Sequence, residues 1–81
     1  MNIDADTWKL FHDAIKHALK GGKELTYSEM VDGIYDYFKS RKKTFKQSVE
    51  WYAVTVKHDL HVRKIIDVWV EKGRKLHRWV G

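Results

Sequence analysis

"IIDVWVEKGRKLHRWV", residues 65–80, is where the apolar period of this chain changes. Ile66, Val68 and Val70 alternate with Asp67, Trp69 and Glu71. Beyond "EKGRK", Leu76, Arg78 and Val80 alternate with His77 and Trp79. A period of two marks strands, and two such runs joined by a short link containing glycine predict a β-hairpin. Two registers fit. A two-residue loop pairs Glu71 with Arg74 and Asp67 with Arg78, whereas a three-residue loop sets Leu76 and Val80 on the face of Ile66, Val68 and Val70. The alternation does not choose between them.

Upstream the period is helical. Ser48 can cap a helix running from Val49 to about Arg63. At ~100° per residue, Val49, Ala53, Val56 and Leu60 share one stripe. The opposite side carries Trp51, Val54, Thr55, His58, His61 and Val62. Charge is normally found there, so this helix is either sandwiched or presents an apolar surface. A second helix is entered at "TYSE", where Thr26 and Glu29 stand in capping-box spacing. Its stripe is Met30, Val31, Ile34, Tyr37 and Phe38, with Asp32, Asp36 and Lys39 pointing away. Gly33 in its middle costs ~1 kcal/mol against alanine, which suggests that another element approaches closely. The first helix carries Trp8, Phe11, Ile15, Ala18 and Leu19 on one side and Lys9, Asp13, Lys16 and Lys20 on the other. Asp4 and Asp6 suit its start and Gly21-Gly22 its end. The "KEL" that follows has room for a stub of strand.

The order is helix, stub strand, helix, basic turn, helix, hairpin. It predicts one α+β domain over residues 1–81: a winged helix-turn-helix, with a three-helix core and a C-terminal β-hairpin wing. The competing arrangement packs the hairpin across a helical pair.

Composition fits a folded chain. Of 81 residues, 43% are apolar and 33% charged, within the range of globular domains. The absence of cysteine excludes disulfides, thiolate metal sites and cysteine nucleophiles, and agrees with a cytoplasmic location. No secretory signal or membrane-length apolar run is visible. The net charge of +5 is unevenly spread. Residues 1–38 hold four lysines against seven acids, or −3; residues 39–81 hold twelve Lys/Arg against four acids, or +8. That segregation points to a polyanion or an acidic partner at the second half.

Two basic clusters fall where a winged helix meets duplex DNA. "KSRKKTFK", residues 39–46, supplies Arg41, Lys42, Lys43 and Lys46 in the turn before the third helix. Lys72, Arg74 and Lys75 lie at the wing tip. Such groups hold phosphates, while the helix between them offers its leading residues to the groove. Gln47, Ser48, Trp51, Lys57 and His58 are the groove-facing candidates. The set is poor in the bidentate donors that read bases. The same helix therefore suggests an alternative, a protein-interaction or homodimerisation module using Trp51, Val54, His58 and Val62.

No catalytic constellation, small-molecule site or cofactor motif is present. His58 and His61 share a helix face, but two imidazoles fall short of the three or four ligands a zinc site needs. Asp59 and Arg63, four apart, read as a helical ion pair.

The run "SVEWYAVTVKHDLHVRKII", residues 48–66, resembles a family of small bacterial domains of unknown function. Its members carry a similar S-V-x-W-Y-x-x-x-V-K-x-D-L-x-x-R helix after two helices and before a short basic hairpin. "ELTYSEM" at the second helix looks similar as well, and the resemblance covers roughly residues 7–80. It implies a winged-helix-like fold and a bacterial source, and supplies no activity and no binding residues.

Overall fold

The computed structural model describes residues 3–81; Met1 and Asn2, counted within the domain above, lie outside the described residues. Three helices, α1 (Ala5–Ala18), α2 (Tyr27–Ser40) and α3 (Val49–Val62), pack against a sheet of β1 (Leu25–Thr26), β2 (Ile66–Glu71) and β3 (Arg74–Trp79). The sheet is antiparallel with order β1-β3-β2. This is an α+β fold of winged-helix type. No helix among the described residues is long and apolar enough to cross a membrane.

Each helix starts where its sequence provides an oxygen for the free N–H groups of its first turn. Asp4 accepts from the Thr7 N–H at 2.8 Å, and Ser48 from the Trp51 N–H at 3.1 Å. At α2 the capping box is closed from both sides: the Glu29 N–H donates to Thr26 Oγ1, and the Thr26 N–H to Glu29 Oε1. Thr26 thus ends β1 and caps α2 in one residue, so sheet and helix leave a common corner.

The ends of α2 and α3 share one device. After α2, the Lys43 N–H bonds back to the Phe38 carbonyl at 2.8 Å and the Lys42 N–H to that of Lys39 at 3.1 Å. After α3, Ile65 bonds to Leu60 and Lys64 to His61 in the same pattern. Both are Schellman caps, and the left-handed residue usually supplied by glycine is here Lys42 (φ 53°) or Lys64 (φ 61°).

The core contains the residues the helical stripes predicted, Phe11, Ile15, Ala18 and Leu19 of α1 and its end, Met30, Val31, Ile34, Tyr37 and Phe38 of α2, and Val49, Ala53, Val56 and Leu60 of α3, and adds Ala14 of α1 and Ile66 of β2. Trp8 is half-buried at its margin. Gly33 has the predicted reason for being glycine. A Cβ placed there would stand 2.5 Å from the Ala18 Cβ, so α1 and α2 meet at this point with no room for a methyl group.

The hairpin takes the two-residue loop. Glu71 pairs with Arg74 and Asp67 with Arg78, and Val68 lies opposite His77. Lys72 (φ 53°) and Gly73 (φ 76°) both have positive φ, the geometry of a type I′ turn, whose twist matches that of the strands. This register turns Ile66, Val68, His77 and Trp79 toward the helices. Leu76 is buried on the other face, between Thr26 and Trp69.

Candidate nucleic-acid interface

The turn between α2 and α3 is fixed at three points. The Schellman cap sets its departure and Ser48 its arrival. Phe45, half-buried, anchors its middle, with its ring 5.1 Å from both Phe11 and Tyr52 and 6.1 Å from Phe38. With Phe45 turned inward, Arg41, Lys42, Lys43 and Lys46 are all exposed. None of them forms an ion pair among the described residues. The Arg41 guanidinium lies 4.6 Å over the Tyr37 ring, a cation–π contact that limits its sweep. Gln47 accepts from the Tyr52 hydroxyl, which commits its amide oxygen and orients its amide nitrogen.

On α3 the outward line is Trp51, Val54, His58 and Val62, as the helical period predicted. Trp51 is 51% and Val62 66% exposed, so this stripe is not sandwiched. Val54, Thr55, His58, Asp59 and Val62 border a shallow apolar depression. Both flanks of the stripe are structural. On one, Asp59 accepts from the Trp8 indole at 2.9 Å and from Arg63 at 2.8 Å, the predicted ion pair with an added tie to α1. On the other, the Tyr27 hydroxyl donates to the Glu50 carbonyl and the Tyr35 hydroxyl to the Glu50 carboxylate. The acid at the start of α3 is thereby drawn toward α2.

The wing tip holds fewer unpaired charges than its sequence suggested. Lys72 and Lys75 are exposed and, among the described residues, without an ion pair. Arg74 stands 3.7 Å from Glu29, which links the wing to the start of α2. Arg78, farther down the strand, bridges Asp67 and Glu24 and lies over the Trp69 ring.

Lys57 departs from the expected groove. Its half-buried amine lies 3.3 Å from His77 Nε2 and 5.5 Å from the Tyr27 ring centroid. It leaves α3 on the side of the hairpin, apart from Trp51 and His58. His77 itself, fully buried, is the residue that sequence reasoning passed over. The two-residue register would have found it, since it sets His77 opposite Val68 and two residues from Trp79 on the inward face. Burial pushes the His77 imidazole below its ordinary pKa, a bond to the Leu25 carbonyl opposes this, and neighbouring Lys57 and Lys75 add to it.

The structure therefore brings the turn cations and the leading residues of α3 into one continuous surface, and leaves Arg74 and Lys57 engaged elsewhere. The model of one family of unknown function matches residues 1–76. No curated protein and no solved structure matches the chain.

Proposed function

This chain belongs to the family of unknown function DUF6958, and we propose that it is a non-enzymatic, cytoplasmic, bacterial module that binds double-stranded DNA, in a transcription-related role and without a cofactor. The observation that carries the reading is the turn. Arg41, Lys42, Lys43 and Lys46 project from a backbone held by a Schellman cap, Phe45 and Ser48, at the leading end of the helix that a winged helix lays in the major groove. Cations on a held backbone, with no carboxylate paired to them among the described residues, favour phosphate, and Lys72 and Lys75 extend the footprint to the wing. The apolar line on α3 touches base edges through Trp51, Val54 and Thr55 without bidentate readout, so recognition is mainly of the backbone and groove shape.

Six phosphate contacts give a slope of log K against log salt of about −5, at about −0.9 each. Fluorescence anisotropy with a random duplex at several salt concentrations tests this, and replacing Lys42, Lys43 and Lys46 by Gln should reduce the slope by about 3. No duplex binding by the wild type at ~100 μM, the weak end of ordinary non-specific affinity, refutes the reading.

A second reading rests on the exposed line Trp51, Val54 and Val62. As an interface between two copies of the chain, it would bury these side chains across a symmetric contact. Sedimentation of the wild type and Trp51→Ala separates the two readings: a dimer abolished by the substitution supports self-association, and a monomer in both removes it.

A further inference from the structure

Between α3 and the hairpin, basic groups gather around the buried imidazole. Lys57 and His61 stand one turn apart on the same side of α3, and Lys75 and His77 lie on the same face of β3. His77 Nδ1 lies 2.9 Å from the Leu25 carbonyl. A carbonyl only accepts, so Nδ1 carries the proton and Nε2 offers its lone pair to the Lys57 amine. His77 is therefore a post that fixes Lys57, itself too enclosed to meet a ligand. Lys75, two residues away on the same strand face, is exposed and on the same side of the sheet.

Among the described residues no carboxylate closes this cluster: neither Lys57 nor Lys75 has an acid within 4.0 Å. The neighbouring acids are committed elsewhere: Glu29 to Thr26 and Arg74, Glu50 to Tyr35, and Glu71 to the opposite face of the hairpin. Two ammonium groups and an imidazole thus share the side of the molecule between α3 and β3 with no paired carboxylate among the described residues, an arrangement that an anion relieves.

We infer that Lys57, Lys75 and His61 form a phosphate-binding site between α3 and the wing, with His77 as the positioning residue for Lys57. Its assignment to a backbone phosphate rests on the duplex-DNA reading; a free phosphate group has the same chemistry. On that reading the site lies where the strand between the two grooves passes the protein, and it joins the turn footprint to the wing. Burial and then Lys75 hold the Lys57 ammonium below its ordinary pKa. The groups acting on His77 are Lys57 and His61 of α3, Lys75 of its own strand and the Leu25 carbonyl of β1. A bound phosphate raises the proton affinity of Lys57 and His77, whose surroundings now lower it, so binding takes up protons and tightens as pH falls.

The test is NMR titration of the labelled full chain with a random duplex and, separately, with inorganic phosphate, following the Lys57 and Lys75 amines and the His61 ring. It is combined with duplex salt slopes for the wild type, Lys75→Gln and Lys43→Gln. Lys75 is exposed, so its replacement leaves the core intact. We expect both variants to lower the slope by about 0.9, with only Lys75→Gln abolishing the Lys57 response. Duplex binding that moves the turn signals but leaves Lys57 and His61 unmoved overturns the site and keeps the DNA reading, whichever slope Lys75→Gln shows. No duplex binding, with Lys57 and His61 shifted by phosphate, keeps the site and rejects DNA as its ligand. No response to either overturns both.

Discussion

Replacing Gly33 by Ala sets two known effects against each other at one position. Helix propensity alone favours alanine by about 1 kcal/mol. The added Cβ, however, would lie 2.5 Å from the Ala18 Cβ and 3.1 Å from its Cα, where carbon atoms rest at about 3.5–4.0 Å. Neither neighbour is the tip of a flexible side chain, so α1 and α2 must separate by roughly 1 Å. That separation also loosens Ile15, Leu19, Ile34 and Phe38, which are packed to near-zero exposure in the same core. Overpacking of this kind costs about 1–3 kcal/mol, and a spread crossing costs at the upper end. The net loss should be about 1–2 kcal/mol, or some 5–15 °C in Tm for a domain of this size. Thermal and urea melts followed by circular dichroism measure it. The double variant Ala18→Gly/Gly33→Ala moves the methyl group across the crossing and should recover part of the loss, although a glycine in the last turn of α1 weakens that helix. A single Gly33→Ala variant as stable as the wild type would falsify the close-crossing argument.

Lys42→Gly and Lys64→Gly should each stabilise the fold by about 0.5–1 kcal/mol. The left-handed conformation costs a side-chain residue about 1–2 kcal/mol, and the freer unfolded chain of glycine returns only part; urea melts check this, and at Lys42 the same change should weaken duplex binding. Phe45→Ala removes a half-buried ring from the Phe11, Phe38 and Tyr52 cluster and should cost about 2 kcal/mol, half the value for a fully buried phenylalanine. Amide exchange across residues 41–47 should accelerate with it, and a stability change within ~0.5 kcal/mol would mean that the ring does not anchor the turn. His77 is held below the free imidazole value of about 6.5, so the unfolded chain takes up that proton first. Its contribution to stability is complete above about pH 6.5 and is lost as pH falls below it. Urea melts across this window should show a slope for the wild type that His77→Gln reduces; an equal slope in both rejects the assignment.

Much of the fold was legible because it depends on local chemistry. The capping residues Asp4, Thr26, Glu29 and Ser48 act within one turn of themselves, and the stripes of α2 and α3 follow from the helical period alone. Gly33 announced its contact because glycine in a helix is costly. The hairpin register was less legible. Its turn uses Lys72 where asparagine, aspartate or glycine normally signals a type I′ geometry, and β3 turns a buried histidine and a half-buried tryptophan toward the helices while Leu76 is buried on the other face. Lys57 looked outward because the helical period places it off the core stripe. Only the hairpin, folding back from far along the chain, supplies the His77 that draws it in. Phe45 was hidden in a basic run whose charge dominated its reading.

The sheet order carries a consequence for how the chain is made. The strand nearest the end of the sequence, β3, is the central one, and it joins Leu25 to His77 across 52 residues. At roughly 5–20 residues per second, about 3–10 s of synthesis separates those two partners. Through that interval the helices can meet one another, but the corner built by Thr26 has no strand to receive it. The inner faces of Ile66 and Val68 likewise wait for His77 and Trp79. Closure of this domain therefore waits for β3, and the buried histidine is the partner on which the Leu25 corner depends.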